Sequence, residues 1–228
     1  MADLMTASPL IPKLMPGDRL TRDEFERRYD AMPELKKAEL IEGVVYMASP
    51  VRHRHHSRPD RILQVWLGHY EEFTPGLDSG ANGSVRLDND NVLQPDLFLR
   101  LPEHAGGRSR VGDADYIEGP PELVCEVAAS SVSYDLHQKL HVYRRHGVRE
   151  YLVHRVDDGA VDWFVLEYGQ YVRLESDSDG VWRSRSFPGL WLSPAALLSE
   201  DLPGLRALVV RGCHTPEHAV FCERLRSL

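Results

Sequence analysis

The feature of the sequence that most restricts its fold is a strand, a helix and a second strand in succession. The first strand, Leu123–Ala128, is apolar on both faces apart from Glu126, which is typical of a central strand covered on both sides. A helical segment over 134–145 follows and ends before Gly147, and an apolar strand over 150–154 comes next. A helix that joins neighbouring strands in this way makes them parallel, so the unit predicts an α/β fold.

Weaker patterns on either side of this unit predict a mixed β-sheet flanked by helices. Amphipathic spacing predicts a helix over 22–29 and a longer helix over 59–73. Short β-branched runs bounded by turn residues predict the remaining strands. These are a hairpin over 39–47 that turns at Glu42-Gly43, paired strands at 84–87 and 94–99, a hairpin over 161–175 and an added strand at 181–186, with a loop over 103–119.

The length of 228 residues suits a single domain. We expect a domain over 20–192, preceded by a flexible N-terminal arm over 1–19 and followed by a helical tail over 193–228. The arm lacks a basic segment followed by an apolar one, and no apolar run approaches the roughly 20 residues of a membrane span. Three well-separated cysteines form no disulfide framework. We therefore expect a cytoplasmic protein with no membrane partner.

The formal net charge of −8 argues against a general nucleic-acid coat, because such binding depends on neutralising phosphates. Positive charge is nevertheless concentrated in two segments, 52–61 and 144–149. We expect the first segment to contact nucleic-acid phosphates; the alternative is that both segments are solvated basic faces. The arginines of the first segment are Arg52, Arg54, Arg58 and Arg61, and those of the second are Arg144, Arg145 and Arg149.

Glu126 is the chemical anomaly of the predicted central strand. A carboxylate buried in a strand is unfavourable by several kcal/mol unless it is protonated, paired or bound to a metal. Mg²⁺ prefers oxygen ligands and commonly uses one or two protein carboxylates. Asp96, which follows Pro95 on another predicted strand, is the second available acid. The two carboxylates predict a site for Mg²⁺ or Mn²⁺.

Lys139 is the cation expected beside these acids. It lies on the same helix face as Leu136 and Tyr143, three residues before it and four residues after it, so its side chain should point toward the sheet. An ammonium there can offset the charge of the acids or stabilise charge that develops at a phosphate. The alternative is a surface ion pair between Asp135 and Lys139, with the lysine stem lying along the helix.

Several short motifs, spread from about residue 20 to residue 191, resemble a known family when their order and spacing are taken together. The motifs are Glu39-Leu40-Ile41-Glu42-Gly43, Gln94-Pro95-Asp96, Glu126-Val127-Ala128, Asp135-Leu136-His137-Gln138-Lys139, and the Tyr-Arg-Arg-His-Gly-Val-Arg-Glu-Tyr run over 143–151. They resemble the Uma-type restriction endonuclease branch of the PD-(D/E)xK nuclease superfamily.

The resemblance implies a restriction-endonuclease-like fold, a mixed β-sheet flanked by helices, in which Asp96 and Glu126 bind a divalent ion. It also implies that Glu39 completes the metal site and that His56 contacts a phosphate or assists proton transfer. The alternative for His56 is a place in a solvent-exposed polar loop. The superfamily's usual lysine would lie at position 128, where this chain has alanine. In this branch the lysine comes from the next helix, which matches Lys139.

Together these observations predict a Mg²⁺-dependent endonuclease that hydrolyses phosphodiester bonds in DNA by attack of water. A homodimer is expected, because two-fold dimers match the two strands of a duplex. Two alternatives stay open. One is a non-catalytic nucleic-acid- or protein-binding member of the same fold, which the alanine at position 128 and the acidic net charge favour. The other is a metal-dependent hydrolase of another small phosphoester, because no motif indicates recognition of bases.

Overall fold

The computed structural model describes residues 11–47, 52–112, 114–129 and 131–226. Within these residues the chain forms an α/β fold in which helices pack against mixed β-sheets, as predicted. Two π-helical segments, His53–Ser57 and Tyr134–Lys139, lie directly before the second and third α-helices. The α-helices are α1 (Arg22–Asp30), α2 (Arg58–Phe73), α3 (Leu140–His146), α4 (Pro194–Leu198), α5 (Leu202–Cys213) and α6 (Pro216–Arg226).

The strands of the described residues form two six-stranded sheets and a separate hairpin. They are β1 (Ala38–Ile41), β2 (Val44–Met47), β3 (Asp78–Ala81), β4 (Val85–Arg86), β5 (Val92–Leu93), β6 (Leu97–Arg100), β7 (Arg110–Val111), β8 (Ile117–Glu118), β9 (Leu123–Ala128), β10 (Glu150–Arg155), β11 (Ala160–Glu167), β12 (Gln170–Arg173), β13 (Trp182–Arg183) and β14 (Trp191–Leu192). Sheet A has the order β2-β1-β5-β4-β8-β7, sheet B has the order β12-β11-β10-β9-β6-β3, and β13 pairs with β14.

The predicted strand–helix–strand unit lies in the middle of sheet B. β9 and β10 pair in parallel, with Glu126 opposite Val153, and the second π-helical segment and α3 connect them. α3 ends at Gly147, whose φ of +79° is a left-handed conformation that glycine adopts without steric strain. All six residues of β9 are buried. The prediction of a central strand covered on both faces is therefore confirmed.

Both segments 84–87 and 94–99 contain strands, but the prediction that they pair with each other was wrong. β4 pairs with β5 in sheet A, but the chain then crosses to sheet B, where β6 pairs with β3 and β9. Pro95 lies at the crossing and has no amide hydrogen for a strand ladder. Because β6 runs antiparallel to β9, the residue that precedes β6, Asp96, lies beside Glu126. The crossing therefore brings the two predicted acids together.

Other strand predictions had mixed outcomes. The hairpins β1–β2 and β11–β12 are confirmed. The segment 103–119, predicted as a loop, contains a 3₁₀ turn at Glu103–Ala105 and the short antiparallel pair β7–β8. The strand expected at 181–186 is β13, which forms its own hairpin with β14. Two-residue strands of this kind carry too little alternation to be recognised from a single sequence.

Three apolar cores separate these layers. One face of sheet B packs against α2 and the C-terminal helices, with Trp66 and Trp163 in edge-to-face contact at 5.8 Å between ring centroids. The other face packs against α3 and sheet A, where Tyr143 and Tyr151 are fully buried. A smaller core joins α1 to β1 and β2 around Phe25. Burying one such large side chain contributes roughly 1.5–3 kcal/mol.

The two ends of the described chain also contact this framework. Leu197, Leu205 and Phe221 of the C-terminal helices lie in the core beside α2. Near the other end Leu14 is buried against the α1 core. Residues 1–10 lie outside the described residues, and the division into arm, domain and tail stays a prediction. No helix in the described ranges is both long enough and apolar enough to cross a membrane.

Candidate active site

A cleft of about 1050 Å³ lies where sheets A and B meet. Its lining comes from β1 and β2 of sheet A, from the residue before β6 and the end of β9 in sheet B, and from both π-helical segments. The residues predicted from the sequence that line it are Glu39, Arg52, His56, Asp96, Glu126 and Lys139. The fold thus brings together five candidate catalytic residues that are spread over a hundred positions of the chain.

Lys139 lies among three carboxylates at the floor of the cleft. Its Nζ is 3.0 Å from Glu126 Oε1, 3.0 Å from Glu39 Oε2 and 3.5 Å from Asp135 Oδ1. Lys139 is only 5% exposed and Asp135 only 2% exposed, so the alternative of an ion pair on the protein surface is wrong. The ammonium and the carboxylates offset one another's loss of hydration, which a buried ion requires.

Asp96 has a separate set of partners. Lys37 Nζ is 3.0 Å from its Oδ1, and His56 Nε2 is 3.2 Å from its Oδ2. The backbone N–H of Val127 also donates to Oδ2, at 2.8 Å. Lys37 and His56 therefore contact Asp96, whereas Lys139 contacts the carboxylates of the other acids.

Local structure explains how these side chains reach the cleft. The amide of Gln94, at the crossing between the sheets, donates to Glu39 Oε1 at 2.8 Å, so the crossing contacts both Glu39 and the region of Asp96. The two π-helical segments carry His56 and Lys139. Single π-turns are rare and occur frequently at functional sites, where the extra residue in the turn redirects a side chain.

Burial and neighbouring charges shift the pKa values of the two central acids in opposite directions. Desolvation raises the pKa of Glu126, which is 2% exposed, to about 8 despite the positive charge of Lys139. Desolvation acts in the same sense on Asp96, but the hydrogen bond from His56 and the charge of Lys37 outweigh it and hold the pKa of Asp96 below its usual range. Two neighbouring acids with separated pKa values are typical of catalytic sites.

The same acids keep the cations of the cleft charged. Burial acts to lower the pKa of Lys139, but the carboxylates around it outweigh this effect and raise its pKa well above the ordinary value. Burial likewise opposes the charge of Lys37, but the negative charges of Asp96, Glu126 and Glu39 together outweigh it, so the pKa of Lys37 is raised. The hydrogen bond to Asp96 raises the pKa of His56. The imidazolium form of His56 is therefore more populated than in a free histidine at the same pH.

The donor set suits a hard divalent cation. Glu39, Asp96 and Glu126 offer carboxylate oxygens, the ligands that Mg²⁺ and Mn²⁺ prefer. The raised pKa of Glu126 shows that the nearby cations do not fully offset its charge. As the side chains stand, no three His, Cys, Asp or Glu residues in the described part of the chain converge as metal ligands, and Lys139 lies between Glu39 and Glu126. The residues fit the ion by their chemistry.

The four arginines predicted to contact nucleic acid do not all face the cleft. Arg52 is exposed and lines its rim. Arg54, Arg58 and Arg61 are exposed on the same segment but outside the lining of the cleft. Arg58 is also engaged, because its Nε is 2.5 Å from Glu200 Oε2. The basic segment therefore presents one arginine to the cleft and the others to the adjoining surface.

Lys37 and the hydroxyl of Tyr143 also belong to this candidate site, although neither was predicted from the sequence. Tyr143 Oη donates to Glu126 Oε1 at 3.2 Å, although the helical spacing had indicated only an apolar position. Lys37 lies two residues before Glu39, and side chains two residues apart on a strand share a face. That spacing of a cation and an acid was the available signal.

Comparison with known proteins matches the chain to proteins that are described as putative nucleases. Residues 22–195 match the Uma2 family, which is described as "Putative restriction endonuclease". A solved structure from Anabaena variabilis ATCC 29413, described as "a putative nuclease belonging to DUF820", is similar with a TM-score of 0.58 and 16% sequence identity. The similarity covers 79% of this chain and 98% of that chain, and at this identity it shows the fold alone. A comparison with curated proteins found no significant match.

Proposed function

The chain belongs to the Uma2 family, and on this basis we propose that it is an endonuclease that hydrolyses phosphodiester bonds of DNA in the cleft between its two sheets. The proposed cofactor is a divalent cation, Mg²⁺ or Mn²⁺, with Asp96, Glu126 and Glu39 as its ligands. The proposed reaction is attack of water on the phosphorus atom, with loss of one ester oxygen.

The observation that carries this proposal is that three buried carboxylates from separate segments line one cleft. Glu39 comes from β1, Asp96 from the crossing between the sheets and Glu126 from β9. Each buried carboxylate is unfavourable by several kcal/mol before its partners are counted, and apolar side chains of similar size would avoid this. Fold stability alone therefore gives no reason for such a cluster, whereas binding of a cation does.

Each charged side chain of the cleft has a role that its contacts support. A bound divalent ion would make water more acidic and withdraw charge from a phosphate. The ammonium groups of Lys139 and Lys37 can stabilise negative charge that develops on phosphate oxygens. His56, which carries a proton while it contacts Asp96, can donate that proton to a leaving oxygen. The hydroxyl of Tyr143 orients the Glu126 carboxylate.

The alternative function is a non-catalytic DNA- or protein-binding member of the same fold. The observation in its favour is that Lys139 already contacts both Glu39 and Glu126, so these acids have a cation without any metal. In that case the charged cluster would set the shape of the cleft, and divalent ions would change neither stability nor binding. The response to Mg²⁺ separates the two functions.

The test is cleavage of supercoiled plasmid and of circular single-stranded DNA over a titration of Mg²⁺ and Mn²⁺, with chelated protein as the blank. Glu126→Gln and Glu122→Gln are purified in parallel. Glu122 is a matched control, because it is also fully buried but lies just before β9, outside the cleft lining, and accepts hydrogen bonds from the amides of Leu101 and Arg108. Sedimentation of the same samples tests the expected homodimer.

We expect metal-dependent nicking by the wild type and by Glu122→Gln, and none by Glu126→Gln. Equal cleavage by the Glu126→Gln preparation would identify a contaminant or remove Glu126 from the reaction. DNA binding without cleavage at any metal concentration would establish the binding module instead.

A further inference from the structure

The cleft has an aromatic wall that the proposed chemistry does not use. Tyr134, the first residue of the second π-helical segment, is 46% exposed and lines the cleft together with Tyr46 of β2. Their ring centroids are 5.2 Å apart with an interplanar angle of 69°, an edge-to-face contact. Such a contact covers at most one face of each ring. Tyr134 therefore presents a free aromatic surface beside the cleft.

Tyr134 is adjacent in sequence to one of the charged residues at the floor of the cleft. The next residue, Asp135, lies within 3.5 Å of the Lys139 ammonium. Tyr134 and Lys139 both line this cleft, so a base stacked on the Tyr134 ring and a phosphate near Lys139 would occupy the same cleft. The lining also contains the exposed side chains of Arg52 and His55, and His55 Nδ1 is 2.6 Å from Asp157 Oδ1. The cleft therefore combines an aromatic pair with the guanidinium of Arg52.

The depth of the reacting groups restricts the form of the DNA. Glu126 and Lys139 are 2% and 5% exposed, so a phosphate must enter the cleft to reach them. In a duplex the bases are stacked on one another, and their faces cannot meet a protein ring unless they are unstacked. Proteins that bind single strands combine a cationic groove with aromatic side chains on which bases stack. The aromatic pair and Arg52 in the lining of this cleft match that chemistry.

We propose that Tyr134 is a stacking platform for the base next to the scissile phosphate, and that the preferred substrate is single-stranded or unpaired DNA. The proposal rests on the proposed function only in taking DNA as the ligand. Tyr46 supports the platform by holding the Tyr134 ring from the side. Recognition is independent of base identity, because every base has an aromatic face.

The test measures binding and not cleavage, so its outcome is separate from that of the nuclease assay. All proteins carry Glu126→Gln, and the ligands are a single-stranded oligonucleotide containing 2-aminopurine, the same oligonucleotide with an abasic position, and its duplex. Tyr134→Leu removes the ring, and Tyr134→Phe keeps it. Tyr168→Leu is the matched control, because Tyr168 is a fully exposed tyrosine in the turn between β11 and β12, outside the cleft lining. Thermal melting of each variant checks its fold.

We expect Tyr134→Leu to weaken single-strand binding about tenfold, within the range measured for loss of one stacked base. Tyr134→Phe and Tyr168→Leu should bind as the parent does, and 2-aminopurine fluorescence should be quenched only by proteins with an aromatic residue at position 134. The salt dependence should not change, because no phosphate contact is lost. On the abasic ligand the difference between Tyr134→Leu and its parent should disappear.

Equal binding by Tyr134→Leu and Tyr134→Phe would overturn the platform. Duplex binding as tight as single-strand binding would overturn the substrate class. A protein that binds no DNA would overturn this proposal and the proposed function together. Tyr134-dependent binding by a chain that cleaves nothing would leave the platform standing and refute only the nuclease.

Discussion

Replacing Glu126 by glutamine should stabilise the metal-free protein by an amount that grows as the pH rises. Burial raises the pKa of Glu126 to about 8 in the folded protein, against an ordinary value of 4.5 in the unfolded chain. Below the ordinary value both states are protonated, and Glu126 does not affect stability. Between that value and 8 the unfolded chain loses the proton while the folded protein keeps it, so wild-type stability falls. Above 8 the loss is complete and constant.

The size of this effect follows from the same pKa values. Each tenfold change in a protonation equilibrium corresponds to about 1.4 kcal/mol, which sets an upper limit of about 5 kcal/mol for Glu126. The net gain should be smaller, because the substitution also removes one of the charges that stabilise the Lys139 ammonium. A glutamine oxygen can still accept hydrogen bonds from Lys139 and Tyr143. We expect about 2 kcal/mol at pH 8, or about 4–8 °C in the melting temperature of a protein of this size.

The assay is thermal unfolding between pH 5 and pH 9 in the presence of a chelator, followed by the same series with Mg²⁺. The difference between Glu126→Gln and the wild type should be near zero at the low end and should level off above pH 8. Mg²⁺ should stabilise the wild type and Glu122→Gln but not Glu126→Gln, because an ion that binds the folded state shifts the equilibrium by mass action. Glu122→Gln should instead be destabilised at every pH, by about 1–3 kcal/mol, because its amide cannot accept from both backbone N–H groups.

Two results would refute the reasoning. If Glu126→Gln melted below the wild type at pH 8, the ionised carboxylate would be a net stabilising group in the fold. If the difference were the same at all pH values, the burial of Glu126 would not perturb its protonation.

Further predictions concern other residues of the cleft and the sheet. Lys37→Met should lower cleavage about 100-fold with a melting temperature within a few degrees of wild type, whereas Lys37→Arg should recover part of the rate in single-turnover assays. Arg52→Gln with Arg54→Gln should reduce the log–log salt slope of DNA binding by up to about 0.9 per lost phosphate contact without changing metal affinity; an unchanged slope would make these arginines solvated groups. Desolvation lowers the pKa of His154, so wild-type stability should fall as the pH drops below about 6.5, since only the unfolded chain binds the proton. His154→Leu should remove that part of the pH dependence in denaturant titrations.

The parts of the fold that could be predicted are those whose signal lies within one element. β9 has a continuous apolar run, and α3 ends at a glycine with positive φ, so both were recognised from local residues. The division into two sheets was not predicted. The apolar residues of β6 predict that the strand is buried but do not predict which strand it pairs with. Pro95 at the crossing is a weak signal of a change of sheet, because proline is also common at the end of a strand.

In the candidate site, too, the residues that could be predicted are those whose signal lies within one element. Glu126 could be singled out because an acid inside an apolar strand conflicts with its surroundings. Lys37 could not, because it follows Lys36 in a polar segment before β1, where a lysine is expected on any surface. Its place in the candidate site rests on contact with Asp96, fifty-nine positions away in the chain. In the sequence, Lys37 is linked to Glu39 only because residues two apart on a strand share a face. That inference requires β1 to begin before the first residue of its apolar pattern.

The alanine at position 128 departs from the lysine of the superfamily motif, although a lysine ammonium still contacts Glu126. Residues 126 and 128 share a face of β9, so a lysine at 128 could in principle reach Glu126. In this fold, however, Ala128 is fully buried in the core between the sheets, where a longer side chain would overpack its neighbours. The ammonium comes instead from Lys139, which approaches from the π-helical segment and lies 3.0 Å from Glu126. A buried acid such as Glu126 requires a cation within contact distance. A lysine from a helical segment on the same face of the sheet can supply that cation as well as a lysine on the strand itself.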